Sequence, residues 1–146
     1  MTSPNELLAE FDVFPDHGSV LIGDAGEIVV PDDVPTWGVN MATASDHTLM
    51  VITMSADMAD ELGRNVAVRV YRGTDPTGLG ELAFDGTLTF SEPNLAVGEI
   101  LIDVEDHHHV AINRTGPVRL QVYWRNTIPE VFPDPTDLNI LINDTT

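Results

Sequence analysis

Apolar side chains recur at every second position through most of this chain, and that period constrains its fold more than any other feature. It is clearest in PVRLQVYWR, where Val118, Leu120, Val122 and Trp124 fall on one side of an extended strand. Arg119, Gln121, Tyr123 and Arg125 fall on the other. A period of two marks a strand with one buried face, so Trp124→Ala is expected to cost about 3–5 kcal/mol, as large-to-small core changes do. Upstream, Ile100, Ile102 and Val104 share a face opposite Glu99, Asp103 and Glu105. VAVRVYR repeats the pattern with Val66, Val68 and Val70 inward. ELAFDGTLTF continues it with Leu82, Phe84, Leu88 and Phe90, and with Gly86 as a bulge or close-approach site. LNILIN closes the chain with Leu138, Ile140 and Ile142 together.

Other stretches fit the same reading. TLMVITM (residues 48–54) is apolar on both faces, as a central strand would be. Residues 17–23 and 27–30 flank a Gly-Asp-Ala-Gly turn and read as a hairpin. Residues 31–45 are loop-like, with Trp37 expected to cap one end of the core. One short helix is expected over residues 55–62: Ser55 can cap it, Met58 and Leu62 pair at i,i+4, and Gly63 can end it. The result is an all-β chain, a single-domain antiparallel β-sandwich of about 8–9 strands with at most one short helix. Residues 1–9 read as a flexible leader and residues 10–146 as the sandwich domain.

Charge excludes more than composition does. The net charge is −18, and all six basic residues are arginines. Such a surface repels phosphate backbones and anionic lipids, which argues against nucleic-acid and membrane binding and favours a basic protein partner; an acidic proteome would give the same balance. There is no cysteine, so thiol chemistry is excluded. The N-terminus MTSPNELLAEF lacks a basic region followed by an apolar run, so a cytoplasmic protein is expected.

DVEDHHHV holds three of the five histidines. If residues 103–109 stay extended, Asp103, Glu105, His107 and His109 point the same way, and two imidazoles with two carboxylates suit Zn²⁺ or Ni²⁺. A solvated histidine-rich turn is the alternative. Serines 45, 55 and 91 lie near acids and His17 and His47 are available, but no Gly-x-Ser-x-Gly elbow, phosphate loop, dinucleotide fingerprint or calcium loop occurs. No enzyme is expected. On the polar faces of the strands, Arg69, Arg119 and Arg125 are expected in cross-strand ion pairs. Alternatively Arg69 and Arg125 join Tyr71 and Tyr123 in a partner-binding patch of aromatic and arginine side chains.

The series VAVRVYRGTDP, LAFDGTLTF, HVAINRTGPVRLQVYWR and LNILIN resembles, in pattern and order, a group of small bacterial β-sandwich proteins of the architecture of competence protein J, an inhibitor of a DNA-entry nuclease. Gly116-Pro117 stands where the long strand of that group opens with a glycine. The resemblance covers the last two thirds of the chain and carries no catalytic motif. It implies a sandwich and an inhibitor function. Together with the negative charge, the reading is a non-catalytic binding or inhibitor module, for instance an immunity-like protein that neutralises a basic nuclease or toxin. A metal- or small-molecule-binding sandwich and a structural, oligomerising protein are the alternatives.

Overall fold

In the computed structural model, which describes residues 5–36, 38–100, 102–131 and 133–143, ten strands form two five-stranded sheets. The first takes β1 (Glu6–Val13), β5 (Val66–Arg72), β6 (Glu81–Phe90), β9 (Gly116–Arg125) and β10 (Asp137–Asn143) in the order β1-β5-β10-β9-β6. The second takes β2 (Ser19–Asp24), β3 (Ala42–Ala44), β4 (Thr48–Ile52), β7 (Asn94–Gly98) and β8 (His108–Ala111) in the order β3-β4-β2-β7-β8. All pairings are antiparallel except β5 with β10, which run parallel. The expected all-β sandwich is therefore what the chain forms.

The core lies between the sheets and consists of the residues that the period of two places inward. Val66, Val68 and Val70 on β5, Leu120 and Val122 on β9, and Leu138, Ile140 and Ile142 on β10 are fully buried. They meet Val20 and Ile22 of β2, Leu49 and Val51 of β4, and Leu95 and Val97 of β7. The one α-helix among the described residues, α1 (Ala56–Leu62), forms as its caps dictate. Ser55 Oγ accepts from the Met58 N–H at 3.2 Å, and Gly63 ends the helix at φ 64°.

Several boundaries differ from the expectation, each for a local reason. β1 starts at Glu6, inside the stretch read as leader, because Leu8 and Ala9 pack on the core. Residues 27–30 form no hairpin with β2, whose neighbours are β4 and β7. The Asp24 carboxylate captures the Gly26 N–H at 3.0 Å, and the chain leaves the sheet there. β4 lies second from an edge, not at the centre, and is apolar on both sides because the segment around Val29 lies against its outer face. The Val29 N–H donates to Thr48 Oγ1 on that face at 3.0 Å, and Met50 beside it is buried.

In β6 the register shifts between Leu82 and Phe84, so the bulge precedes Gly86 and Leu82 turns outward, 52% exposed. Gly86 is a close-approach site: a Cβ there would lie 2.7 Å from the Phe84 ring. The strand expected through Ile100, Ile102 and Val104 ends at Gly98, and Leu95 and Val97 supply its core face. The His107 ring lies where a Gly98 side chain would be, 2.6 Å from its Cβ position. Trp37 lies outside the described residues. No helix among them is long and apolar enough to cross a membrane.

Candidate functional site

The outer face of the first sheet gathers the four residues of the aromatic and arginine patch. Asn139 sits between Arg69 on β5 and Tyr123 on β9, and Leu141 sits beside Tyr71. Their environments differ sharply. Tyr123 is 7% exposed and packs with Leu141 and Leu79, with Tyr71 against them. The strap over residues 73–80 brings Leu79 down on the sheet, where its carbonyl accepts from Asn139 Nδ2 at 2.7 Å. Burial pushes the Tyr123 hydroxyl pKa up. Tyr123 is thus a packing element of the protein itself, while Arg125 at the end of β9 is exposed.

The arginines on this face largely serve ion pairs across strands. Arg69 Nε donates to Glu10 on β1 at 2.6 Å, and its Nη1 reaches Asp137 on β10 at 3.4 Å. Arg119 holds Asp85 through two parallel bonds of 3.0 and 2.8 Å, which keep that carboxyl below its ordinary value. Asp137, 4% exposed, is the hub: Thr127 and Thr136 donate to Oδ1 at 2.8 and 2.7 Å, and Arg64 approaches it at 3.5 Å. These contacts leave the surrounding acidic surface in excess.

The histidine turn is arranged otherwise than alternation implies. Residues Val104–Asp106 form a single 3₁₀ turn, so the shared face of Asp103, Glu105, His107 and His109 is not formed. Asp103, Glu105 and His109 are exposed, and His107 is 6% exposed. His107 Nε2 meets the Glu99 carbonyl at 2.9 Å, which makes that nitrogen the N–H donor and leaves the buried Nδ1 as an acceptor with no partner. His108 stacks on Phe11 of β1 with centroids 4.1 Å apart, and its Nε2 meets the Asp12 carbonyl at 3.2 Å, bridging the edges of the two sheets. Among the described residues no group of three or more His, Asp or Glu is placed to hold a metal ion.

Burial lowers the His107 pKa, the Glu99 carbonyl opposing and the neighbouring His109 and His108 adding to it. The unfolded chain therefore takes up a proton below its ordinary value near 6.5 that the folded chain resists. Stability should fall as pH drops from about 6.5 toward the lower folded value. Urea unfolding at pH 7, 6 and 5 checks this. His107→Phe keeps a ring on Gly98, lowers stability at pH 7 by losing the Glu99 bond, and should flatten that slope. An unchanged slope would place the effect elsewhere.

Two buried carboxylates were not singled out by residue type or spacing. Asp24, fully buried, accepts from the Ser91, Gly26 and Glu92 N–H groups, with His47 Nδ1 3.7 Å away. Asp137 is the other. Their one signal in the sequence is a lone acid at the end of an apolar run, VLIGD, or at the start of one, DLNILIN.

No family model matches the chain, and no curated protein matches it. Among solved structures, ComJ, inhibitor of the DNA degrading activity of NucA, from Bacillus subtilis, superposes with a TM-score of 0.65 at 8% identity, over 98% of this chain and 100% of its own. A second structure, crocagin biosynthetic gene J, superposes with a TM-score of 0.53 at 10% identity, over 99% of this chain and 100% of its own. At these identities the likeness is one of architecture alone: the chain is similar to ComJ in its overall fold.

Proposed function

We propose that this protein is a non-catalytic binding module that inhibits a basic protein, of nuclease or toxin type. The observation that carries the reading is charge: −18 in total, with Arg69 and Arg119 already committed to carboxylates of their own sheet. A surface of that sign attracts a cationic partner, speeds encounter and disfavours wrong partners. The likeness to ComJ, described as an inhibitor of a DNA-degrading nuclease, supports the same direction.

The test is to recover basic partners from the native host, starting with any nuclease or toxin encoded in the neighbouring reading frame, and to measure inhibition and both rate constants across ionic strength. Association should slow steeply as salt rises past the range where the Debye length shrinks to about 8 Å. Dissociation should change much less, because desolvated contacts and not rim charges set residence time. Recovery of only acidic or neutral partners, or an association rate flat in salt, would make the charge a solubility trait and remove the inhibitor reading.

A further inference from the structure

Six large apolar side chains are exposed among the described residues, and four of them lie in one loop: Val29, Val30, Val34 and Val39, between 44% and 76% exposed. In the same loop Pro31 and Pro35 are buried. A surface loop usually hides its branched side chains; this one exposes them beside its acids and buries its prolines. Singly scattered exposed valines need no explanation, but four of the six exposed large apolar residues on one loop point to an interaction surface.

The valines are not exposed because the loop hangs free. The Val29 N–H is held by Thr48 Oγ1 at 3.0 Å, and the Asp33 carbonyl accepts from Thr43 Oγ1 at 2.7 Å. The tip is closed by a bridge between Thr36 and Asn40, where the Thr36 N–H meets the Asn40 carbonyl at 2.8 Å. A segment fixed in this way loses little conformational entropy when a partner covers it.

Charge selects the occupant. Asp32 and Asp33 stand exposed between the valines. A second copy, also carrying −18 overall, would set the same acids against these, and an anionic bilayer would be repelled as well. Beside Val34 a cleft of about 210 Å³ opens, lined by Val34, Pro35 and Ile52 together with His17, Ser55 and Asp134. Asp134 is half-buried and has no cation within ion-pairing reach among the described residues, and burial alone pushes its carboxyl pKa up. A lysine or arginine can lay its alkyl stem along Val34, Pro35 and Ile52 and bring its charge to that carboxylate.

We propose that loop residues 27–36 and 38–41 form the docking surface for a cationic protein, with Val34 and Val39 as apolar anchors and the cleft at Asp134 as the receptor for one of its lysine or arginine side chains. This rests on the reading that the partner is a basic protein, and it places the contact on the second sheet, away from Tyr71 and Tyr123.

The experiment introduces p-benzoyl-phenylalanine at position 34 and, separately, at position 82 on the outer face of the first sheet, crosslinks in host lysate, and identifies the joined peptides. Position 34 should join a basic protein at an apolar residue ringed by Lys or Arg, and position 82 should not. With that protein purified, Val34→Asp/Val39→Asp should weaken binding about 30-fold or more, as loss of central anchors does. Its melting temperature should be unchanged, since both side chains are exposed. Asp134→Asn should weaken binding roughly 5- to 10-fold without loss of stability. Crosslinks from position 82 alone, joining only a second copy at position 34, or full affinity in the double variant would overturn the assignment and leave the partner reading standing. No basic protein joined at either position would remove both.

Discussion

Asp24→Ala is expected to destabilise the protein by about 3 kcal/mol, because it strands several N–H groups whose acceptor is buried. Asp24 is fully buried at the end of β2, and its oxygens accept from the Ser91 N–H at 2.7 Å, the Gly26 N–H at 3.0 Å and the Glu92 N–H at 3.3 Å. One carboxylate thereby ties the exit of β2 to the turn between β6 and β7. Burial by itself would raise its pKa, but the hydrogen bonds from Ser91, Gly26 and Glu92 outweigh it and hold the carboxyl below its ordinary value. The folded pKa is depressed, so the stabilisation is present above the unfolded value near 3.9 and is lost as pH falls through the folded one. Asp24→Asn, which keeps the shape and one acceptor, should lose about half as much as the alanine variant. Urea unfolding at pH 7 and pH 3 checks both points. A loss below about 1 kcal/mol at pH 7 would show that water replaces the carboxylate without penalty.

How far the fold was legible depends on what each pattern encodes. Alternation identifies the two faces of a strand, and it did so correctly for Val66, Val68 and Val70 and for Leu138, Ile140 and Ile142. It says nothing of what covers the second face. Leu141, Tyr123 and Met50 are buried on outer faces because the strap over residues 73–80 and the segment around Val29 lie on the two sheets. Those coverings come from segments whose glycines and prolines read only as turns. Local turn rules also failed where a side chain took backbone donors: Gly-Asp-Ala-Gly reads as a hairpin, but Asp24 binds Gly26 and Ser91 instead. The exposure of Val29 and Val30 is hidden for a related reason, since Ile28, Val29 and Val30 read as strand, while Val34 and Val39 fall in a stretch that reads only as loop. In the histidine run, extension failed because three residues curl into a 3₁₀ turn and His107 goes into the space above Gly98.

Tyr123→Ala should cost about 3–4 kcal/mol and exceed Trp124→Ala, the reverse of the order that alternation alone implies. Trp124 is on the core side as expected, packed against the core, but it is only half-buried near the end of β9. Its truncation should cost about 2 kcal/mol, since part of the ring is already in water. Tyr123 is 7% exposed, enclosed by Leu79, Leu141 and Tyr71. Removing its ring leaves a cavity beneath the strap and takes away the floor on which Leu79 rests. The Asn139 to Leu79 hydrogen bond, 2.7 Å long and shielded by that packing, should then open to solvent. Two readouts separate the variants. Denaturant unfolding gives the order of the losses, and amide exchange across residues 73–82 should accelerate in Tyr123→Ala and stay close to the parent in Trp124→Ala. If Tyr123→Ala costs less than about 1 kcal/mol, Tyr123 is open to solvent and regains its place as an anchor for a partner on the first sheet.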